Sequence, residues 1–118
     1  MASNFVRRSL LEPDHLEGGV EKMKVEFVTL GGIVFRRLKF DPGFRASVHL
    51  KQAMGMELCP FPHTLVITSG KGTFKMTDGQ EYDVESGDVL EMDGDHDFWT
   101  TSDDPCVMIE PTFESAEQ

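Results

Sequence analysis

An all-β domain, a small barrel or sandwich, is what this sequence predicts. The first ground is that apolar, β-branched and aromatic residues come in short runs; the second is that Gly, Asp and Pro turns part those runs at short intervals. A third observation concerns Pro62 to Asp97, where a histidine stands near each end: His63 opens the stretch to Thr68 and His96 follows the stretch from Asp88 to Met92. That layout suggests a site in the mouth of a barrel. No amphipathic helix of useful length is expected.

Residues 1–20 carry charge, a proline and the pair Gly18-Gly19 without sustained periodicity, and read as a loosely held N-terminal arm. The main domain is expected over 21–113. Val25 to Leu30 alternates with period two, Gly31-Gly32 turns the chain, and Ile33 to Phe40 returns as a second strand. Asp41-Pro42-Gly43 is a turn, since proline presets one corner and glycine accepts positive φ at the other. Further strands are expected at His63 to Thr68, Thr73 to Thr77, Gln80 to Val84, Val89 to Met92, Phe98 to Thr101 and Cys106 to Glu110. In Ile33 to Phe40, Arg36, Arg37 and Lys39 are read as a solvent-facing surface. Residues 114–118 are expected to fray.

The chain has 118 residues, 39% of them hydrophobic, which suits one domain with one core. A formal charge of −10 repels phosphate backbones and anionic membrane surfaces, so no nucleic acid and no membrane is expected as partner. The first eight residues lack the apolar run of a signal peptide, and no stretch approaches the roughly twenty apolar residues of a span, so a cytoplasmic location is the default expectation. Two cysteines, Cys59 and Cys106, are too few for a disulfide scaffold; they read as buried thiols or ligands, with a bridge between them left open.

Asp41-Pro42-Gly43, then His63 to Gly70, then Glu85-Ser86-Gly87-Asp88-Val89-Leu90 leading to His96-Asp97-Phe98-Trp99, resemble the small single-domain cupins, whose double-stranded β-helix, or jelly roll, holds a metal or small ligand in its barrel. The resemblance is closest to small bacterial cupins that run "C-x-x-H-H-T-G-Y-V-L-S-G" and later "G-H-D-A-W". His49, Cys59, His63 and His96 fall on positions that are histidine or cysteine in that branch, while Pro62 replaces the first histidine of the pair. It implies a metal held by Cys59, His63 and His96, with His49 as a candidate fourth ligand, and a homodimer.

A thiolate with two imidazoles suits zinc, and also iron or nickel, as a divalent transition metal. Three protein ligands would leave a position open for a small organic molecule, with dioxygenase, isomerase or lyase chemistry as the candidate classes. Glu57, Phe61, Phe98 and Trp99 are candidate pocket residues; Phe44 and Phe74 are further candidates, with Arg45 at the rim. The alternative is a metal-free binding or sensory module whose histidines hydrogen-bond a ligand.

Overall fold

The computed structural model describes residues 4–113, and the tail expected at 114–118 lies outside the described residues. In chain order the elements are β1 (His15–Glu17), β2 (Met23–Leu30), β3 (Ile33–Phe40), α1 (Ala46–Met54), β4 (His63–Ser69), β5 (Lys71–Lys75), β6 (Glu81–Glu85), β7 (Val89–Met92), β8 (Asp97–Thr100) and β9 (Cys106–Phe113). They form a six-stranded sheet, β1-β2-β3-β9-β4-β7, and a three-stranded sheet, β6-β5-β8, with antiparallel pairing throughout. The order is non-sequential: β9 inserts between β3 and β4, which is how a chain of short hairpins closes on itself as a jelly roll. Each expected strand is present, its ends moved by no more than a few residues.

The core lies between the sheets. Val25, Leu38, Phe40, Leu65, Ile67, Cys106 and Met108 enter it from the larger sheet, and Phe74, Val84 and Phe98 from the smaller. Four of its rings pack together, with centroids 4.7 Å apart for Phe40 and Phe44, 5.1 Å for Phe40 and Phe98, and 4.6 Å for Phe74 and Phe98. Burying a phenylalanine side chain contributes about 1.5–3 kcal/mol, so this cluster is a main source of stability. Gly70 permits the turn into β5. Its φ is +78°, and a methyl group there would lie 2.2 Å from the Pro105 carbonyl oxygen.

One expectation fails at Ala46–Met54, which is a helix. Ala46, His49 and Leu50 are its buried residues, at helical spacing i, i+3, i+4, and Gly55 closes it in the left-handed region while donating its N–H to the Lys51 carbonyl. Seven residues from Phe44 to Leu50 are too short a window for strand and helix periods to separate, and the good helix formers Leu50 to Met54 tip the balance. The helix packs on β8. Ser47 donates its N–H to Asp97 Oδ1 at 2.9 Å.

Within residues 4–20, His15–Glu17 pairs with β2, and Asp14 donates its N–H to the Phe27 carbonyl at 2.8 Å. Arg8 is ion-paired with Asp14, whose other oxygen accepts the Thr29 N–H. Both cysteines are free. No helix among the described residues is long and apolar enough to cross a membrane.

Candidate metal centre

Cys59 and His96 lie far apart in the chain and are joined by backbone. An isolated antiparallel bridge pairs them: the Cys59 N–H donates to the His96 carbonyl at 2.9 Å, and the Asp95 N–H to the Cys59 carbonyl at 2.7 Å. The approach is close at Gly94, where a methyl group would lie 2.1 Å from the Pro60 carbonyl oxygen. Asp95 then takes a left-handed φ of 63°, a strained conformation for a residue with a side chain, and it delivers His96 inward. His63 is the first residue of β4, opposite Met92 on β7.

The ligand atoms of Cys59, His63 and His96 all lie within 4.8 Å of one another. Cys59 Sγ and His63 Nε2 are 3.4 Å apart. Bond lengths of about 2.3 Å to sulfur and about 2.0 Å to nitrogen give an edge of roughly 3.5 Å in a tetrahedral site, so this pair already has the right separation. Each histidine is oriented by an oxygen. His63 donates its Nδ1–H to Glu110 Oε2 at 2.7 Å, and His96 donates its Nδ1–H to the Asp93 carbonyl at 2.9 Å. In both rings Nε2 is therefore the nitrogen free to ligate an ion once it carries no proton, the arrangement found behind metal-ligating histidines.

Burial would push the Cys59 thiol up, but hydrogen bonds with His63, His96 and the Phe61 backbone outweigh it and bring the pKa down to about 6. Burial likewise would push His63 down, yet its hydrogen bonds to Cys59 and Glu110, with their charges, raise it to about 9. Without an ion, the pair is thus a thiolate beside an imidazolium near neutral pH. Thiolate and imidazole nitrogen are the donors that soft and borderline metals take, so the residues fit a transition metal.

Glu110 is the residue that sequence reasoning missed. It is buried on β9, 3.6 Å from Arg36 Nη1 through Oε1, while Oε2 holds His63. The available signal was parity: Cys106, Met108 and Glu110 share one face of β9, and a carboxylate among buried apolar neighbours marks an interior partner. The same parity corrects the reading of β3. Arg36 faces inward with Leu38 and Phe40, lining the cavity, and only Arg37 and Lys39 lie on the other face. Arg37 pairs there with the buried Glu26 at 3.5 Å.

That cavity, about 310 Å³, lies inside the barrel beside the three ligands and is walled mostly by apolar side chains. Phe61, 58% exposed, stands at its rim, and the buried Phe44, Phe74 and Phe98 line it. Trp99 and Glu57 do not. Trp99 carries the Arg45 guanidinium on its face at 4.1 Å, with Arg45 also 3.5 Å from Asp97, so Arg45 is committed to the helix–β8 contact. Glu57 is exposed, 3.7 Å from Lys51. His49 lies outside the cluster: its Nδ1 accepts the Arg45 N–H at 3.0 Å, at the start of α1, and its ring stacks on Phe44.

No protein-family model and no curated protein matches the sequence. Solved structures do match it. Ectoine synthase from P. lautus is 12% identical over 91% of this chain and 76% of that one, with a TM-score of 0.65. The polyketide cyclase RemF from Streptomyces resistomycificus is 14% identical, covering 94% and 80%, at 0.66. A cupin-like protein from Thermotoga maritima is 20% identical, covering 96% and 82%, at 0.56. At these identities the likeness speaks to the fold, and the fold is that of a small cupin domain, an all-β jelly-roll barrel with one short helix.

Proposed function

We propose that this chain is a metal-binding cupin in which Cys59, His63 and His96 hold a divalent transition ion beside a cavity for a small organic molecule. The observation that supports it most is the pair of oriented imidazoles. Glu110 and the Asp93 carbonyl each take an Nδ1–H, which leaves both Nε2 atoms to converge with Cys59 Sγ. A merely structural histidine pair has no need to gather two ring nitrogens and a sulfur about one point. Cys59 would offset the charge of the ion, and Glu110 would hold His63 in its ligating tautomer. A bound ion would supply a Lewis acid, with a position beyond the three protein donors for a ligand. Two of the structural neighbours bear the names of enzymes acting on small molecules, a synthase and a cyclase.

The test is metal content and metal-linked stability of protein purified without a nickel column. About one equivalent of zinc or iron(II) per chain is expected, with a stabilisation of about 4 kcal/mol when the free ion stands at a thousand times its Kd. His63→Ala combined with His96→Ala abolishes both. Less than about a tenth of an equivalent, with no melting shift on adding zinc or iron(II), would retire the reading in favour of a metal-free ligand-binding module.

A further inference from the structure

Arg36 has no role in holding the ion. Among the described residues it is the one lysine or arginine lining the barrel cavity. Its guanidinium carbon lies over the Phe27 ring, 5.3 Å from the ring centre and within cation–π range, and its side chain keeps 34% of its surface exposed. Its partner is poor. Glu110 approaches at 3.6 Å through Oε1, beyond hydrogen-bond length, because Oε2 is already engaged by His63. Both Arg36 Nε and Glu110 Oε1 are buried without a hydrogen-bond partner. A guanidinium stays charged at any working pH, and one two-thirds buried at an apolar wall with half a partner has donors left for a second anion.

We propose that the cavity takes a small amphipathic monoanion, an apolar body ending in a carboxylate, and that Arg36 reads the charge. The inference rests on the cavity being the ligand pocket, as above, and names the class of molecule it selects. Phe40, Leu50, Phe98 and Met108 supply the wall for the apolar body. A volume of about 310 Å³ limits that body to the small end of ligand pockets, which run from about 300 Å³ upward. Glu17, at the rim with a side chain 57% exposed, and Glu110 oppose a second negative charge, so a monoanion fits better than a dicarboxylate.

Hexanoate and its uncharged counterpart hexanamide, titrated into wild-type protein both metal-free and zinc-loaded, test this directly. Hexanoate is expected to bind about tenfold or more tighter in both forms, the range of a charge-assisted hydrogen bond. Arg36→Met is expected to remove most of that preference while leaving hexanamide binding within about twofold of wild type, and Arg36→Lys to restore part of it. Equal affinity for the two probes, no binding of either, or a preference in the metal-free protein that survives Arg36→Met would overturn the proposal. The wild-type comparison decides it even where Arg36→Met does not fold. A chain that binds zinc without preferring hexanoate refutes only this inference, and one that prefers hexanoate while binding no metal refutes only the metal centre.

Discussion

Cys59 and Cys106 are the same residue type on two sides of one barrel, and they differ in almost every chemical respect. Cys59 is half-buried, 3.4 Å from an imidazole, with its thiol held down near 6. Cys106 is fully buried in the apolar core at the start of β9, and burial alone pushes it up to about 11. The comparison teaches that the neighbours, and not the sulfur, set the chemistry. Two histidines with oriented rings make a thiolate; methionine and phenylalanine make a small apolar filler.

Alkylation is the sharpest way to break that contrast. At pH 7 the thiolate fractions differ by about 10⁴, and the lower intrinsic nucleophilicity of a low-pKa thiolate gives back about 10², so Cys59 should react about a hundredfold faster before burial widens the gap. Iodoacetamide followed by peptide mass spectrometry should find Cys59 modified and Cys106 intact, with zinc protecting Cys59. Comparable rates at both positions would mean that the imidazoles do not act on Cys59.

Next in size is Glu110→Gln. The amide no longer supplies an anionic acceptor for His63 Nδ1–H, and loss of such an outer partner typically weakens metal binding about 10–100-fold. Zinc titration with a competing chelator reads it. An unchanged Kd would show that Glu110 serves only Arg36.

Smallest is the pH response. A raised His63 pKa stabilises the fold below the ordinary 6.5 and loses that contribution as pH climbs through about 9. A lowered Cys59 pKa does the reverse, contributing above the ordinary 9 and losing it as pH falls through about 6. Between those limits the folded pair holds one proton, on the imidazole, and the unfolded chain holds one, mostly on the thiol; the two slopes cancel. Metal-free stability contributed by this pair should therefore be nearly flat from about pH 6.5 to 8.5, while metal binding, which must expel that proton, strengthens about tenfold per pH unit. Calorimetry in two buffers of different ionisation enthalpy should count about one proton released per zinc. Zero protons would place a neutral His63 in the metal-free protein.

The order of strands and turns was legible because Gly and Pro punctuation is local: Gly31-Gly32, Asp41-Pro42-Gly43 and Gly87 each act on their immediate neighbours. Cys59, His63 and His96 were legible too, through residue type and the cupin resemblance, and the structure brings those three side chains together. The helix was not, since its three buried positions become known only from the structure and the element spans only nine residues. His49 shared the chemistry of the other ligand candidates and differs in lying on that helix, where its ring accepts the Arg45 N–H.

By itself, then, the sequence determined an all-β barrel or sandwich with a histidine near each end of its central segment, because turn chemistry and residue type act over a few residues; the cupin resemblance added the jelly roll and the grouping of a sulfur with two imidazoles. Tertiary structure alone decided that Arg36 turns inward, that Glu110 stands behind His63 and that Cys106 is sealed in the apolar core. Period-two alternation says which residues share a face of a strand; which of the two faces is interior depends on how β9 inserts between β3 and β4, a pairing between segments far apart in the chain.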